Sequence, residues 1–432
     1  MEIKMCINTS ALFNAVHSDL QGYLEDVTLP AKPKDTSLKA FAASYFLNNF
    51  MKKYEESSPA ADKAALLQFE LMNERCANWE IPDQLSLVQS KVVEHARDLV
   101  GGIYIDYMVD FSNYADNFAL GHGRNRQSVG NSLYEKLYSS PLTASSEGLL
   151  RSYLYIANSN ELSREAEAQR STILGEDAYM IDTAKFSTVP KNIKISRGIS
   201  TEPVVNMLWQ KAHDAVIRKV LLNEFSIQMD YQQYKNRFLA RQGSKFDTWC
   251  TIDLSSASDT ISRKFVHWYF GKYDKRFALM LDAVRSPSTQ LPSGETMDLQ
   301  MMCTMGNGYC SSLQTLIFVS LLKATYEMMG IPFHSKAWKP EDELVNPFDK
   351  LNRFVRPLSV KDSCVRPFTN LDHTDATYGV FGDDIIIDKR AFSFFNKLLQ
   401  DLGFLPNQDK SFGEGPFRES CGVDAYFGVD IR

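Results

Sequence analysis

Thr377-Tyr378-Gly379-Val380-Phe381-Gly382-Asp383-Asp384-Ile385-Ile386-Ile387 sets two adjacent acids between two strand-like runs. Aromatic and β-branched residues on both sides of Gly382-Asp383, a two-residue turn signal, predict a hairpin that carries its carboxylates at the tip. Upstream, Trp249-Cys250-Thr251-Ile252-Asp253 reads as a short apolar strand ending in an acid. The following Leu254-Ser255-Ser256-Ala257-Ser258-Asp259-Thr260-Ile261-Ser262 reads as a Ser-capped helix start, with Ser255 and Ser258 as caps rather than nucleophiles, since no base is placed to activate them. Taken singly, Gly-Asp is an ordinary surface turn and Asp253 is equally a helix N-cap. Together they describe a strand-end acid beside a hairpin-tip acid pair.

That arrangement suits two divalent ions clamping the attacking and leaving oxygens of an in-line phosphoryl displacement. Three carboxylates within about 4 Å of one another would repel by several kcal/mol each at an effective dielectric of roughly 20, and a cation relieves that cost. Oxygen ligands select magnesium, with manganese as the alternative.

In order and spacing, Asp253 with Asp259, then Met305-Gly306-Asn307-Gly308-Tyr309, then Phe381-Gly382-Asp383-Asp384, resemble motifs A, B and C of RNA-dependent RNA polymerases. Val189-Pro190-Lys191-Asn192 and Gly415-Pro416-Phe417-Arg418-Glu419-Ser420-Cys421-Gly422 narrow the resemblance to the replicase β subunits of levivirus-like, single-stranded RNA bacteriophages, over residues 185–432. The resemblance implies an α+β, right-hand polymerase fold, with a small antiparallel palm sheet backed by helices. Residues 1–248 would form a mainly helical N-terminal and fingers region, including a basic motif F-like loop at 185–203. Residues 249–262 and 300–412 would form the palm, 263–299 a fingers excursion, and 413–432 the start of the motif E and thumb region. Because the sequence stops at Arg432, the thumb is expected to be truncated.

The same resemblance implies roles. Asp253 and Asp383 would be the principal ligands of two Mg2+ ions and Asp384 a weaker one, in attack of a 3′-hydroxyl on a nucleotide α-phosphate. Lys191, Lys194 and Arg197 would serve the triphosphate and template, Asp259 the ribose, and Gly306 and Asn307 the nucleotide. Lys410 would be the proton donor to pyrophosphate, against the plainer reading of an exposed lysine in a polar turn. Cys310 and Gln314 stand where many viral polymerases have a sugar-reading Thr and Asn, and Asn307 is either their substitute or a turn-former. The implied activity is RNA-directed RNA synthesis on single-stranded RNA with nucleoside triphosphates, in the cytoplasm of an infected bacterium. Elongation factors Tu and Ts and a ribosomal protein would be partners. A non-catalytic RNA- or host-factor-binding remnant and a reverse transcriptase are the competing readings.

The rest of the sequence sets bounds. Its 432 residues, 44% hydrophobic, can fill a sizeable core. Seven cysteines without a CxxC pair argue against a disulfide framework or zinc module and for a reducing compartment. No signal peptide or membrane-spanning run is read, which predicts a protein with no membrane association. The net charge of −6 discourages a nucleic-acid partner until its distribution is considered: 185–245 holds eleven Lys or Arg against four acids, leaving −13 on the remainder. If the stretch from Val189 is fully extended, Lys191 and Arg197 share one face and Lys194 takes the other. Helices are expected from 36 to about 170, at 204–225, 231–241, 313–329 and 391–403. The Pro-rich stretch 331–377 is expected to be an inserted surface element.

Overall fold

A computed structural model describes residues 9–23, 37–54, 58–101, 116–121, 123–128, 130, 132–137, 140–174, 178–192, 194–335 and 376–432. Most of the Pro-rich stretch 331–377 lies outside the described residues. Among those described, small sheets are set among helices, a mixed α/β architecture. Strands β1 (Leu142–Ala144) and β2 (Ala178–Met180) form a parallel pair. Strands β3 (Thr183–Asn192), β4 (Ile195–Thr201), β6 (Ser288–Gln290) and β7 (Thr296–Asp298) form a sheet in the order β4-β3-β6-β7. Strands β5 (Trp249–Ile252), β8 (Gly379–Phe381) and β9 (Asp384–Asp388) form an antiparallel sheet in the order β5-β9-β8. The chain ends in a meander of β10 (Phe417–Ser420), β11 (Val423–Tyr426) and β12 (Val429–Asp430).

The helix Cys310–Met329 lies in the main core, with Leu313, Leu316, Ile317, Phe318, Val319, Leu321 and Leu322 all buried. Burial of each such side chain is worth roughly 1.5–3 kcal/mol relative to exposure. Its polar residues are tolerated because Thr315, Ser320 and Thr325 each donate a hydroxyl to the carbonyl one turn back, at 2.8 Å. It packs against the helices Leu87–Gly101 and Val204–Phe225, the helix Lys389–Asp401 and β8.

The triple isoleucine of β9 follows from burial on both faces. Ile385 and Ile387 enter the main core, whereas Ile386 meets Phe238, Leu239 and Ala240 of the helix Met229–Phe246. A strand covered on both sides carries a continuous apolar run instead of an alternating one.

Several expectations are corrected. The Ser-capped helix start comes at Ser262 and not at Ser255 or Ser258: 255–260 are turns, Ser256 has φ +50°, and the helix begins at Arg263 with Ser262 Oγ accepting from the Lys264 N–H. Ser258 and Thr260 instead satisfy Asp259 Oδ1 and the Ala257 carbonyl, the competition that keeps Ser, Thr and Asp out of helix interiors. The stretch from Val189 is not one extended strand but the β3–β4 hairpin, with Val189 opposite Arg197 and an irregularity between Pro190 and Asn192 that contains Lys191. Asn192 Oδ1 accepts from the Lys194 N–H, closing an Asx-type turn. The helix expected at 231–241 runs from Met229 to Phe246. Within 263–299, two short helices precede the β6–β7 hairpin, and β6 pairs in parallel with β3.

Candidate active site

Antiparallel pairing of β5 with β9 sets Ile252 opposite Ile385 and Trp249 opposite Asp388. The next step of that register places Asp253 across from Asp384. Phe381 pairs with Asp384 in the β8–β9 hairpin, so Gly382-Asp383 is the two-residue turn the sequence predicts. Gly382 has φ +60° and Asp383 a negative φ, the pattern of a II′ turn with glycine in its first central position. The Thr315 hydroxyl of the central helix accepts from the Gly382 N–H at 2.8 Å and so fixes the turn from below.

A second segment runs beside β5. Thr251 and Phe412 exchange backbone hydrogen bonds, and Leu254 bridges Pro406. Between these points the segment fixes Asp253: the Asn407 N–H donates to its carbonyl at 2.8 Å, and its own N–H donates to Ser411 Oγ at 3.3 Å. Asn407 Nδ2 donates to Asp253 Oδ2 at 3.2 Å. Lys410 Nζ stands 4.0 Å from the same oxygen and 3.2 Å from Glu419 Oε1. Lys410 lies in the turn 408–410 with its side chain partly exposed, and it is paired there with Glu419 beside Asp253.

Burial pushes the Asp253 carboxyl up to about 7; Lys410 opposes the shift, and Asp383 and Asp384 add to it. Asp384 is pushed up to about 6 by burial and by Asp383, against hydrogen bonds from the Cys421 N–H and the Ser420 hydroxyl. Asp259 is pushed up to about 6 by burial, with the Ser258 hydroxyl holding it down. For Lys410, burial favours the neutral amine, but Glu419 and Asp253 outweigh it and the ammonium is held above its ordinary range.

Lys191 projects from the β3–β4 hairpin into the same field. Partial enclosure and the charges of Arg197 and Lys410 hold it below the usual lysine range, while Asp253 and Asp383 act in the opposite direction. Lys194 is exposed near the hairpin tip. The glycine-containing loop before the central helix packs under this hairpin: the Ser200 N–H donates to the Met305 carbonyl at 2.9 Å, and Gly306, at φ +120°, lies so close that a Cβ would sit 2.4 Å from the Ser200 carbonyl oxygen. Asn307 is buried, and its Oδ1 accepts from the Tyr309 N–H, so its side chain shapes the turn. Gln314 Nε2 donates to Cys310 Sγ at 3.4 Å, pairing the two positions where the sugar-reading pattern is departed from.

Among the described residues, no three His, Cys, Asp or Glu side chains are gathered into a metal-binding cluster. Asp253 leans toward Asn407 and Lys410, and Asp384 toward Ser420 and Cys421. The donor set nonetheless fits a hard divalent cation. It is all carboxylate oxygen, the charge of Asp383 raises the proton affinity of Asp253 and Asp384, and the Lys410 ammonium supplies a positive charge beside Asp253.

Sequence reasoning missed Asn407, Ser411, Thr315 and Ser420. All four meet the acids only through tertiary contacts.

The model of the family described as RNA replicase, beta-chain, matches residues 1–335 and 364–432. The chain belongs to this family. The unmatched residues, 336–363, fall within the Pro-rich stretch expected to be an insertion. Among its relatives, the RNA-directed RNA polymerase subunit beta of Enterobacteria phage SP is 34% identical over 249 residues, 57% of this chain and 35% of that protein. The subunit beta of Escherichia virus Qbeta is 32% identical over 258 residues, 59% of this chain and 36% of that protein. The beta chain of Escherichia phage MS2 is 34% identical over 245 residues, 57% of this chain and 36% of that protein. The matched segment thus spans about a third of the length of these relatives.

Proposed function

We propose that this replicase-family chain is an RNA-directed RNA polymerase, joining ribonucleotides on a single-stranded RNA template in the cytoplasm of an infected bacterium. The observation that carries the reading is the β5-β9-β8 sheet, which brings Asp253 beside Asp383 and Asp384 from 130 positions away in sequence, beneath the basic β3–β4 hairpin. In this reading the sheet is the palm of a right-hand fold, and the β3–β4 and β6–β7 strands belong to the fingers.

Asp253 and Asp383 would hold two magnesium ions, with Asp384 as a weaker ligand. When bound, the ions lower the barrier by activating the 3′-hydroxyl and neutralising the triphosphate. Lys191, Lys194 and Arg197 attract the triphosphate and template, and Arg197 stabilises charge on the leaving pyrophosphate. Asp259 reads the ribose 2′-hydroxyl, a group that both donates and accepts. Lys410, already charged and beside Asp253, delivers a proton to pyrophosphate. Elongation factors Tu and Ts and a ribosomal protein are the partners this reading carries over from the phage replicases.

Asp253→Asn tests the assignment. It removes a ligand charge and leaves the basic hairpin intact, so synthesis is expected to fall by at least a hundredfold while RNA binding in low salt stays within about twofold. Synthesis at the parental rate would refute the roles given to these acids.

A further inference from the structure

Two consecutive residues of the carboxyl-terminal meander reach Asp384, and the residue before them reaches Lys410 beside Asp253. Glu419 Oε1 accepts from Lys410 Nζ at 3.2 Å, Ser420 Oγ donates to Asp384 Oδ1 at 3.2 Å, and the Cys421 N–H donates to the same oxygen at 3.1 Å. Both of these Asp384 bonds fall on Oδ1, and the Cys421 thiol is a further hydrogen-bond partner of the carboxylate. Ser420 is buried, and the β10–β11 turn is tight: Cys421 and Gly422 have φ +48° and +83°, the two left-handed residues of a I′ turn.

The turn is anchored to the same support as Asp384. In the helix Met229–Phe246, Asn236 Nδ2 donates to the Asp384 carbonyl at 3.1 Å, and the next residue, Arg237, donates through Nε to the Cys421 carbonyl at 2.8 Å. Arg418 is wholly buried and ties β10 to β5 through the Trp249 carbonyl at 2.6 Å and to Asp247 Oδ1 at 2.7 Å. One helix therefore holds the main chain of Asp384 and the turn that holds its carboxylate.

We infer that the β10–β11 turn is a positioning device for Asp384, and that Ser420 is a positioning residue that fixes the orientation in which its carboxylate would meet a divalent ion. The inference rests on the polymerase reading above, because it gives Asp384 a metal-binding role. Removing one of these donors loosens the orientation of the carboxylate, and loss of such an outer partner typically costs ten- to a hundredfold in metal affinity.

The test is a Mn2+ titration of the full chain followed by the electron paramagnetic resonance signal of the free ion, with metal-free melting temperatures alongside. The parent, Ser420→Ala and Asp383→Asn are compared. The expected result is about tenfold weaker binding in Ser420→Ala with an unchanged metal-free melting temperature, and a larger loss in Asp383→Asn. Ser420→Ala binding as tightly as a competent parent would overturn the inference alone and leave the polymerase reading standing. Weaker binding that tracks a lowered metal-free melting temperature would also overturn it, by giving Ser420 a merely structural role. A parent that binds no Mn2+, or binding undiminished in Asp383→Asn, would refute the metal site and the inference with it.

Discussion

Asp253 is held where its own charge is costly. Burial, with Asp383 and Asp384 close by, raises its carboxyl from an ordinary value of 3.8 to about 7. Between those values the folded chain holds a proton that the unfolded chain has released. The contribution of this group to stability is therefore complete below pH 4 and is lost as pH rises through about 7. In EDTA at pH 8, Asp253→Asn should consequently melt at a higher temperature than the parent. The gap should narrow as pH falls and close only below about pH 4, where the parental carboxyl is protonated in the folded and the unfolded chain alike. A parent that melts above the variant at pH 8 would mean that Asn407 and Lys410 stabilise the charge more than its surroundings oppose it. The same residue shows what sequence can convey. Its place at the end of an apolar strand is a local property and is legible, whereas Asn407, which meets it from 154 positions away, carries no mark of that role.

Elements were legible where their cause lies within a few residues. The β8–β9 hairpin follows from Gly382-Asp383 between apolar runs, and the central helix from its apolar length. The β3–β4 hairpin was not read, because its turn lacks glycine and proline next to the reversal. The available signal was Asn192, whose side chain closes an Asx-type turn onto Lys194. That hairpin brings Lys191 and Arg197 together from two strands, where one extended strand would have spread the charges along its length. The helix expected after Asp253 starts only at Ser262, and not at Ser255 or Ser258, for a related reason, since Ser258, Asp259 and Thr260 bond to their own neighbourhood. The contact between the β3–β4 hairpin and the loop before the central helix depends on Gly306. Gly306→Ala would place a Cβ 2.4 Å from the Ser200 carbonyl at φ +120°, so destabilisation of at least ~2 kcal/mol is expected as a lower urea midpoint. An unchanged midpoint would show that the loop moves away freely.

At the scale of the molecule, net charge misleads and topology informs. The chain is acidic overall, yet the +7 segment from 185 to 245 contains the β3–β4 hairpin, which faces the acids, and the helix that supports Asp384. Opposite charges are thus concentrated at one place, where each sign modulates the other's ionisation and where a polyanion and its cations can be held together. Among the described residues no helix is long and apolar enough to cross a membrane. The fold places four parts of sequence around the acids: the end of β5, the β8–β9 turn, the 406–412 segment and the β10–β11 turn. The first two were legible as chemistry because they carry the carboxylates themselves, and in the third the family resemblance pointed to Lys410; the neutral donors of the last two parts were not legible. The central claim is that these acids perform RNA synthesis. Its most direct test is magnesium-dependent incorporation of labelled ribonucleotides on a primed RNA template, comparing the chain with Asp383→Asn and repeating both with added elongation factors Tu and Ts. The account predicts extension by the parent that is lost in the variant and absent without magnesium. RNA binding by both proteins with extension by neither, under any of these conditions, would contradict it.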